Sequence, residues 1–343
     1  MIEMRRVLLK SENEAVIENV DDPQPGPGEV MLKIAYSGIC GSDIHAFQGK
    51  HPFVPLPATP GHEFSGTIAA VGDGVDGFEI GDRVSCEPNL VCGECYNCKT
   101  GRYNICENLR VMGCQGDGAD ADYFIAPAEK TVKIPNDLSL KDAALIEPLA
   151  VGVHATRRAG DLFGKNVVII GAGMIGLSTL VCVARSGAKR IIVTDLSDSR
   201  LKLAKNLGAT RTINAGKEDA VQTILDEKPF EGIDVVFEAV GIEQSIRDAM
   251  EVIRKGGKII VMGVFGSETS VKMAWVQDRE MELIGTLMYV MRDFKDAADI
   301  LAENEDLGDM LITSVFPLDQ PQKAFEAAMD TANNLKVIFE VNP

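Results

Sequence analysis

Apolar residues fall into two regimes along this chain. Up to about residue 135 they form short runs, at 7–9, 15–20, 30–36, 66–72 and 83–85. Turn-rich stretches separate them, such as the proline- and glycine-laden 21–29 and the glycine-rich 72–81. Short runs bounded by Pro, Gly and Asp predict strands joined by loops, hence a compact, largely antiparallel β-domain with its polar clusters in the loops. The character changes near Asp137, where Ser139 is a candidate N-cap for a helix. From residue 167 strands that are apolar throughout alternate with helical stretches. Strands are expected at 167–170, 191–194, 234–238 and 258–262, and helices at 174–186 and 199–207. Such β–α–β alternation predicts an α/β unit, a parallel sheet covered on both faces. From about residue 287 the pattern is mixed again. The runs 315–318 and 337–340 read as strands expected to rejoin the first domain.

Composition narrows the class. A chain of 343 residues is too long for one ordinary core, so two domains are expected. A formal net charge of −17 argues against a nucleic-acid partner, whose phosphates require a basic face. No apolar run is long enough to span a bilayer, so no membrane partner is expected. Residues 1–10 lack the apolar stretch of a signal peptide, which points to a cytoplasmic location.

Candidate chemistry concentrates in three places. Between Cys40 and Glu63 lie a thiolate donor (Cys40), three imidazoles (His45, His51 and His62), a hydroxyl (Ser42) and a terminal carboxylate (Glu63). Cys, His and Glu together suit Zn²⁺, which accepts S, N and O donors, while Ser42 and His45 read as groups that move a proton. His51 and His154 read as structural. Cys92, Cys95, Cys98 and Cys106 form a second cluster, C-x₂-C-x₂-C-x₇-C. Four thiolates in a short loop make a closed tetrahedral site, so structural zinc is expected, with an iron–sulfur cluster as the rival. The third place is Gly171-Ala172-Gly173-Met174-Ile175-Gly176, directly after an apolar strand. There the glycines allow a tight turn, a close approach to a pyrophosphate and tight helix–strand packing, and the helix N-terminus faces the phosphates. Asp195 ends the next strand, where a carboxylate accepts from ribose hydroxyls and repels a 2′-phosphate. NAD is therefore expected over NADP, although the nearby Arg200 could accommodate that phosphate.

These pieces together resemble the medium-chain zinc-dependent dehydrogenases, and among them the sorbitol and related polyol dehydrogenases. The resemblance runs over nearly the whole chain. It rests on Cys40-Gly41-Ser42-Asp43-Ile44-His45, Gly61-His62-Glu63, Gly81-Asp82-Arg83-Val84, the four-cysteine loop, Gly171 to Gly176, and Ile146-Glu147-Pro148-Leu149. Glu147 is the discriminating residue, because alcohol dehydrogenases of the family usually have cysteine there. The resemblance implies a GroES-like β-domain at 1–150 and 287–343, and a Rossmann domain at 151–286, with the active site in a cleft. It implies Cys40 and His62 as ligands of a catalytic zinc, with Glu63 a ligand in the polyol branch and a close neighbour of the ion in some relatives, and Glu147 bound directly or through a water. Ser42 would hydrogen-bond the substrate hydroxyl and His45 would pass its proton to solvent. It also implies a homodimer or homotetramer, with strands near 259–262 and 281–284 pairing across the dimer.

Two departures bear on substrate. Where the sorbitol type carries an Arg-Tyr pair, this chain has Met288-Tyr289, so Tyr289 is the expected substrate residue and the arginine is missing. Where many relatives have an aromatic, this chain has Asp120, expected to make a cleft wall more polar. The activity implied is zinc- and NAD-dependent oxidation of a small-molecule polyol or other secondary alcohol to a ketone. The rivals are L-threonine 3-dehydrogenase and 2,3-butanediol dehydrogenase activity and, in another class, a non-catalytic nucleotide-binding scaffold.

Overall fold

The structure, a computed structural model, describes residues 3–342. The chain forms two compact units. One runs to Glu147 and resumes at Val290, and the other spans Pro148–Tyr289.

The first unit is built on the strand Glu29–Ile39, which alternates buried Val30, Leu32 and Ile34 with more exposed neighbours. It pairs antiparallel with Glu63–Val71, with Tyr123–Pro127 and with the late strand Lys336–Glu340. Arg83–Cys86 and Thr131–Lys133 extend the sheet on one side, and Ile312–Pro317 extends it on the other, giving seven strands. The strands expected at 315–318 and 337–340 thus do return to the first sheet. Phe64, Ile68, Val84, Phe124, Phe325 and Phe339 fill the core beneath it. The hairpin Glu3–Ser11 and Glu14–Asp21 packs beside that sheet. Ser139 does cap a helix, its Oγ accepting the Asp142 N–H at 3.0 Å. That helix, Leu140–Ala143, is one turn long, and a new one begins at Ile146. Pro148 lies in the new helix's first turn, where its missing N–H costs nothing.

The second unit is a six-stranded, wholly parallel sheet. Its strands run in the order Arg211–Asn214, Arg190–Asp195, Asn166–Ile170, Ile233–Glu238, Ile253–Val261, Glu282–Gly285. The central strand Asn166–Ile170 is buried at every position, as a sheet covered on both faces requires. The order reverses beside that first strand, which is the doubly wound arrangement of dinucleotide-binding folds. Residues 259–262 do not fit the expectation of pairing across a dimer. Their strand, Ile253–Val261, is flanked on both sides within its own sheet, whereas Glu282–Gly285 is the edge. Among the described residues no helix is long and apolar enough to cross a membrane.

Candidate metal and nucleotide sites

Cys40 ends the run of the central strand Glu29–Ile39 and serves as N-cap of the short helix Gly41–Phe47. His62 and Glu63 sit where the chain enters the paired strand Glu63–Val71, whose Glu63 lies opposite Gly38. Two adjacent strands thereby bring three donors together. Cys40 Sγ, a His62 nitrogen and a Glu63 oxygen lie within 4.8 Å of one another. Donors bonded to a single zinc ion at about 2.0–2.3 Å need a separation of that order. Gly61 makes the approach possible. Its φ is +108°, and a Cβ there would lie 2.5 Å from the backbone nitrogen of Asp120.

Asp43 fixes the geometry from beneath. Its Oδ2 accepts the Cys40 N–H at 2.9 Å, and its Oδ1 lies 3.5 Å from His62 Nδ1. A carboxylate behind an imidazole orients the ring and makes it a better metal ligand. Burial disfavours the His62 imidazolium. Asp43, with hydrogen bonds involving Cys114 and Cys40, outweighs that effect and holds its pKa well above the ordinary value. Ser42 and His45, three positions apart, share a face of the short helix, with Ser42 half-buried and His45 exposed.

Glu147 is buried in the first turn of its helix, but is not part of the group that closes within 4.8 Å. Lys336, which the sequence reading passed over, is part of the surroundings. Its Nζ lies 2.5 Å from Glu63 Oε2 and donates to Ile39 O at 3.0 Å. Burial opposes its charge, but Glu63 and Cys40 outweigh burial and raise its pKa. The one legible signal was a lysine directly before the apolar run Val337-Ile338-Phe339.

Asp120 does not form a polar wall. Its side chain is buried, with Oδ1 2.5 Å from Ser37 Oγ. Burial, with Asp43 second, raises its pKa to about 8. A free aspartate titrates near about 3.9. Between those values the folded chain holds a proton that the unfolded chain has lost. The stability this contributes is complete below about pH 4 and is lost as pH rises through about 8. Asp120→Asn is expected to flatten that dependence. Denaturant melts at pH 5 and pH 8 should show the wild type losing a few kcal/mol more than the variant across the interval.

The four cysteines converge as well, all Sγ atoms lying within 4.8 Å. Cys92 and Cys106 approach to 3.4 Å, and none of the four is in a disulfide. Backbone N–H groups point at sulfur, from Cys95 to Cys92 Sγ at 3.4 Å and from Asn108 to Cys106 Sγ at 3.3 Å. N–H groups of Glu107 and Cys98 pull the Cys95 thiol down to about 6, whereas burial pushes the neighbouring Cys98 thiol up to about 12, so the grouping of the sulfurs, not their ionisation, carries the metal reading. Beneath the loop, buried Glu87 receives Lys130 Nζ at 2.9 Å, the Tyr103 hydroxyl at 3.2 Å and Asn89 Nδ2 at 3.1 Å.

In the second unit, the strand Asn166–Ile170 runs into Gly171, and Gly173 is the N-cap of the helix Met174–Arg185. A Cβ on Gly176 would overlap Gly171 O, so strand and helix meet as closely as the motif requires. A Cβ on Gly173 would meet nothing within 4 Å. That is the open cradle a pyrophosphate needs, beside the helix's first turn with Met174 and Ile175. Asp195 braces the loop, its Oδ2 accepting the Ala172 N–H at 2.7 Å and its Oδ1 the Ser197 N–H at 2.8 Å. Arg200 lies in the first turn of the next helix, Asp198–Asn206. Tyr289 is fully buried, so any substrate contact of its ring would be made inside the protein. Met288 before it has φ +48°, a left-handed conformation uncommon for a bulky side chain.

Comparison with known proteins places these features. The family model for the alcohol dehydrogenase GroES-like domain matches residues 26–136, and that for zinc-binding dehydrogenases matches residues 175–303. Sorbitol dehydrogenase of Bacillus subtilis (strain 168) is 35% identical, covering 99% of this chain and 98% of its own. L-threonine 3-dehydrogenase of Marinomonas sp. (strain MWYL1) is 36% identical, covering 98% and 100%. A zinc-binding dehydrogenase of Sinorhizobium meliloti 1021, solved with NADP, superposes with a TM-score of 0.92 at 31% identity, covering 99% and 100%. An alcohol dehydrogenase from E. coli CFT073, solved with NADH, has a TM-score of 0.92 at 29% identity, covering 98% and 99%.

Proposed function

Because the chain belongs to the zinc-binding alcohol dehydrogenase family, we propose that it oxidises a neutral polyol, or a similar secondary alcohol, to a ketone with NAD as hydride acceptor. The observation that carries this reading is the Cys40–His62–Glu63 group at the start of the helix bearing Ser42 and His45. A zinc ion held there would polarise the alcohol oxygen as a Lewis acid, and bound NAD would take the hydride. Ser42 relays the hydroxyl proton, taking it up as it gives up its own, and His45, exposed on the same helix face, passes a proton to solvent. Asp43 keeps the His62 ring aligned throughout. Glu147, buried but outside the 4.8 Å group, is assigned to the ion through a water rather than directly. The four cysteines hold a second, structural zinc.

Charge favours a neutral substrate. The buried cation at the cluster, Lys336, is already bound to Glu63, and the chain's net charge of −17 repels anions. The test is NADH formation from zinc-replete protein across neutral hexitols and pentitols, 2,3-butanediol, threonine and a hexitol phosphate, with and without chelator. The highest kcat/KM is expected for a neutral polyol. A preference for threonine would transfer the chain to the other activity its relatives carry, and inertness toward every alcohol would favour a scaffold.

Asp195 supports NAD. Asp195→Ala removes a charged acceptor from the ribose site, and such hydrogen bonds contribute about 1.5–3 kcal/mol. The variant is expected to lose roughly 10- to 100-fold in kcat/KM for NAD and to narrow its preference over NADP, read from paired kinetics with the two cofactors.

A further inference from the structure

Lys336, paired with the candidate ligand Glu63, has no role of its own in the chemistry above. Lys336 is 3% exposed and Glu63 1%, and their charged atoms lie 2.5 Å apart. The register Val337↔Ile39 sets Lys336 just beyond the end of the central strand, where Nζ also reaches Ile39 O at 3.0 Å, next to Cys40. Glu63 Oε2 lies against Gly38, where any Cβ would overlap it, so the chain leaves room for that carboxylate position. Stability does not explain the lysine, since a buried ion pair replaced by apolar residues often leaves a protein equally stable. Charge balance does. A Cys40 thiolate and the Glu63 and Glu147 carboxylates oppose a divalent ion by one negative charge too many, and Lys336 supplies the missing positive one.

We infer that Lys336 is a positioning residue that shares the Glu63 carboxylate with the metal ion, holding Oε2 so that the ion draws on a partly neutralised ligand and stays exchangeable. This rests on the reading of Cys40, His62 and Glu63 as zinc ligands. Lysine and ion compete for one carboxylate, so whatever weakens the lysine's hold gives Glu63 more fully to the ion.

Zinc release from the purified full chain to a chromophoric chelator tests this, with the four-cysteine ion as an internal second phase. Lys336→Gln keeps a hydrogen-bond donor without the charge, and is expected to slow release from the Cys40 site about tenfold. Lys336→Arg presents a fork that can engage both carboxylate oxygens, and is expected to speed it about tenfold. Should one variant fail to fold, the other still decides. In a Glu63→Gln chain both substitutions should change release less than about twofold, because the shared ligand is gone. Release unmoved by Lys336, moved in the opposite sense, or shifted equally with and without Glu63 overturns the inference. A wild-type chain that carries only the four-cysteine ion sinks the metal-site reading as well. Two ions whose release ignores Lys336 sink this inference alone.

Discussion

His62→Ala is expected to yield a folded chain that holds one zinc ion instead of two and turns over its alcohol roughly 10⁴-fold more slowly. Lewis-acid polarisation contributes several kcal/mol to such a reaction, and each 1.36 kcal/mol is about tenfold in rate. His62 is one of three donors within 4.8 Å, and Cys40 and Glu63 alone leave an open, two-ligand site. The substitution also leaves buried Asp43 facing a cavity. Its pKa is already raised, mainly by burial, and His62 is the first influence opposing that rise. The carboxylate keeps the Cys40 N–H, so the helix start should survive. Metal analysis, a melt and the alcohol assay separate the outcomes. Two zinc ions per chain with normal turnover would remove His62 from the site. A chain that fails to fold would be answered by His62→Asn, which retains a polar contact with Asp43.

Cys106→Ser is expected to act on stability rather than chemistry. Apart from the Glu87 network at its base, the loop it closes has little to hold it. Its helix, Tyr96–Lys99, is four residues long with none buried, and Tyr96 is 76% exposed. So short a helix does not persist unaided. Cys106 is the buried member of the four, and its Sγ takes backbone N–H groups of Cys92 and Asn108. A serine hydroxyl offers no thiolate, so the structural ion should be lost, along with much of the folding free energy its binding supplies. The expected result is one zinc per chain, a melting temperature lower by several degrees and rapid proteolytic nicking within 92–106. Nicking should stop short of Tyr103, whose hydroxyl bonds both Glu87 and the Met291 backbone. A metal-free loop that resists protease would show that the Glu87 network, not the ion, organises it.

Much of the architecture could be read from the residues because it depends on local pattern. Strands with apolar runs at their centres, alternating with helical stretches, gave away the parallel sheet, and the glycine motif needed only its flanking strand and helix. Arg211–Asn214 escaped because it is an edge strand, half-buried at Arg211 and Thr212, and so carries no apolar run. The grouping of Cys40, His62 and Glu63 was legible since they are near in sequence. Their supports were not. Lys336 is 273 positions from Glu63, and only the pairing of the last strand with the central one brings them together. Asp120 was misjudged for a related reason. A sequence shows a carboxyl group replacing an aromatic, but not that Ser37, 83 positions earlier, waits for it inside the sheet.

The contact between Lys336 and Ile39 O spans 297 positions, and it has a consequence for synthesis. All four cysteine donors have emerged by residue 106, so their loop can capture an ion while the ribosome is still at work. The Cys40 site has its three donors by residue 63, yet its counter-charge arrives only after the whole dinucleotide-binding unit has been made. An ion taken up there before the late strand docks should therefore have Glu63 to itself and exchange more slowly than in the finished chain.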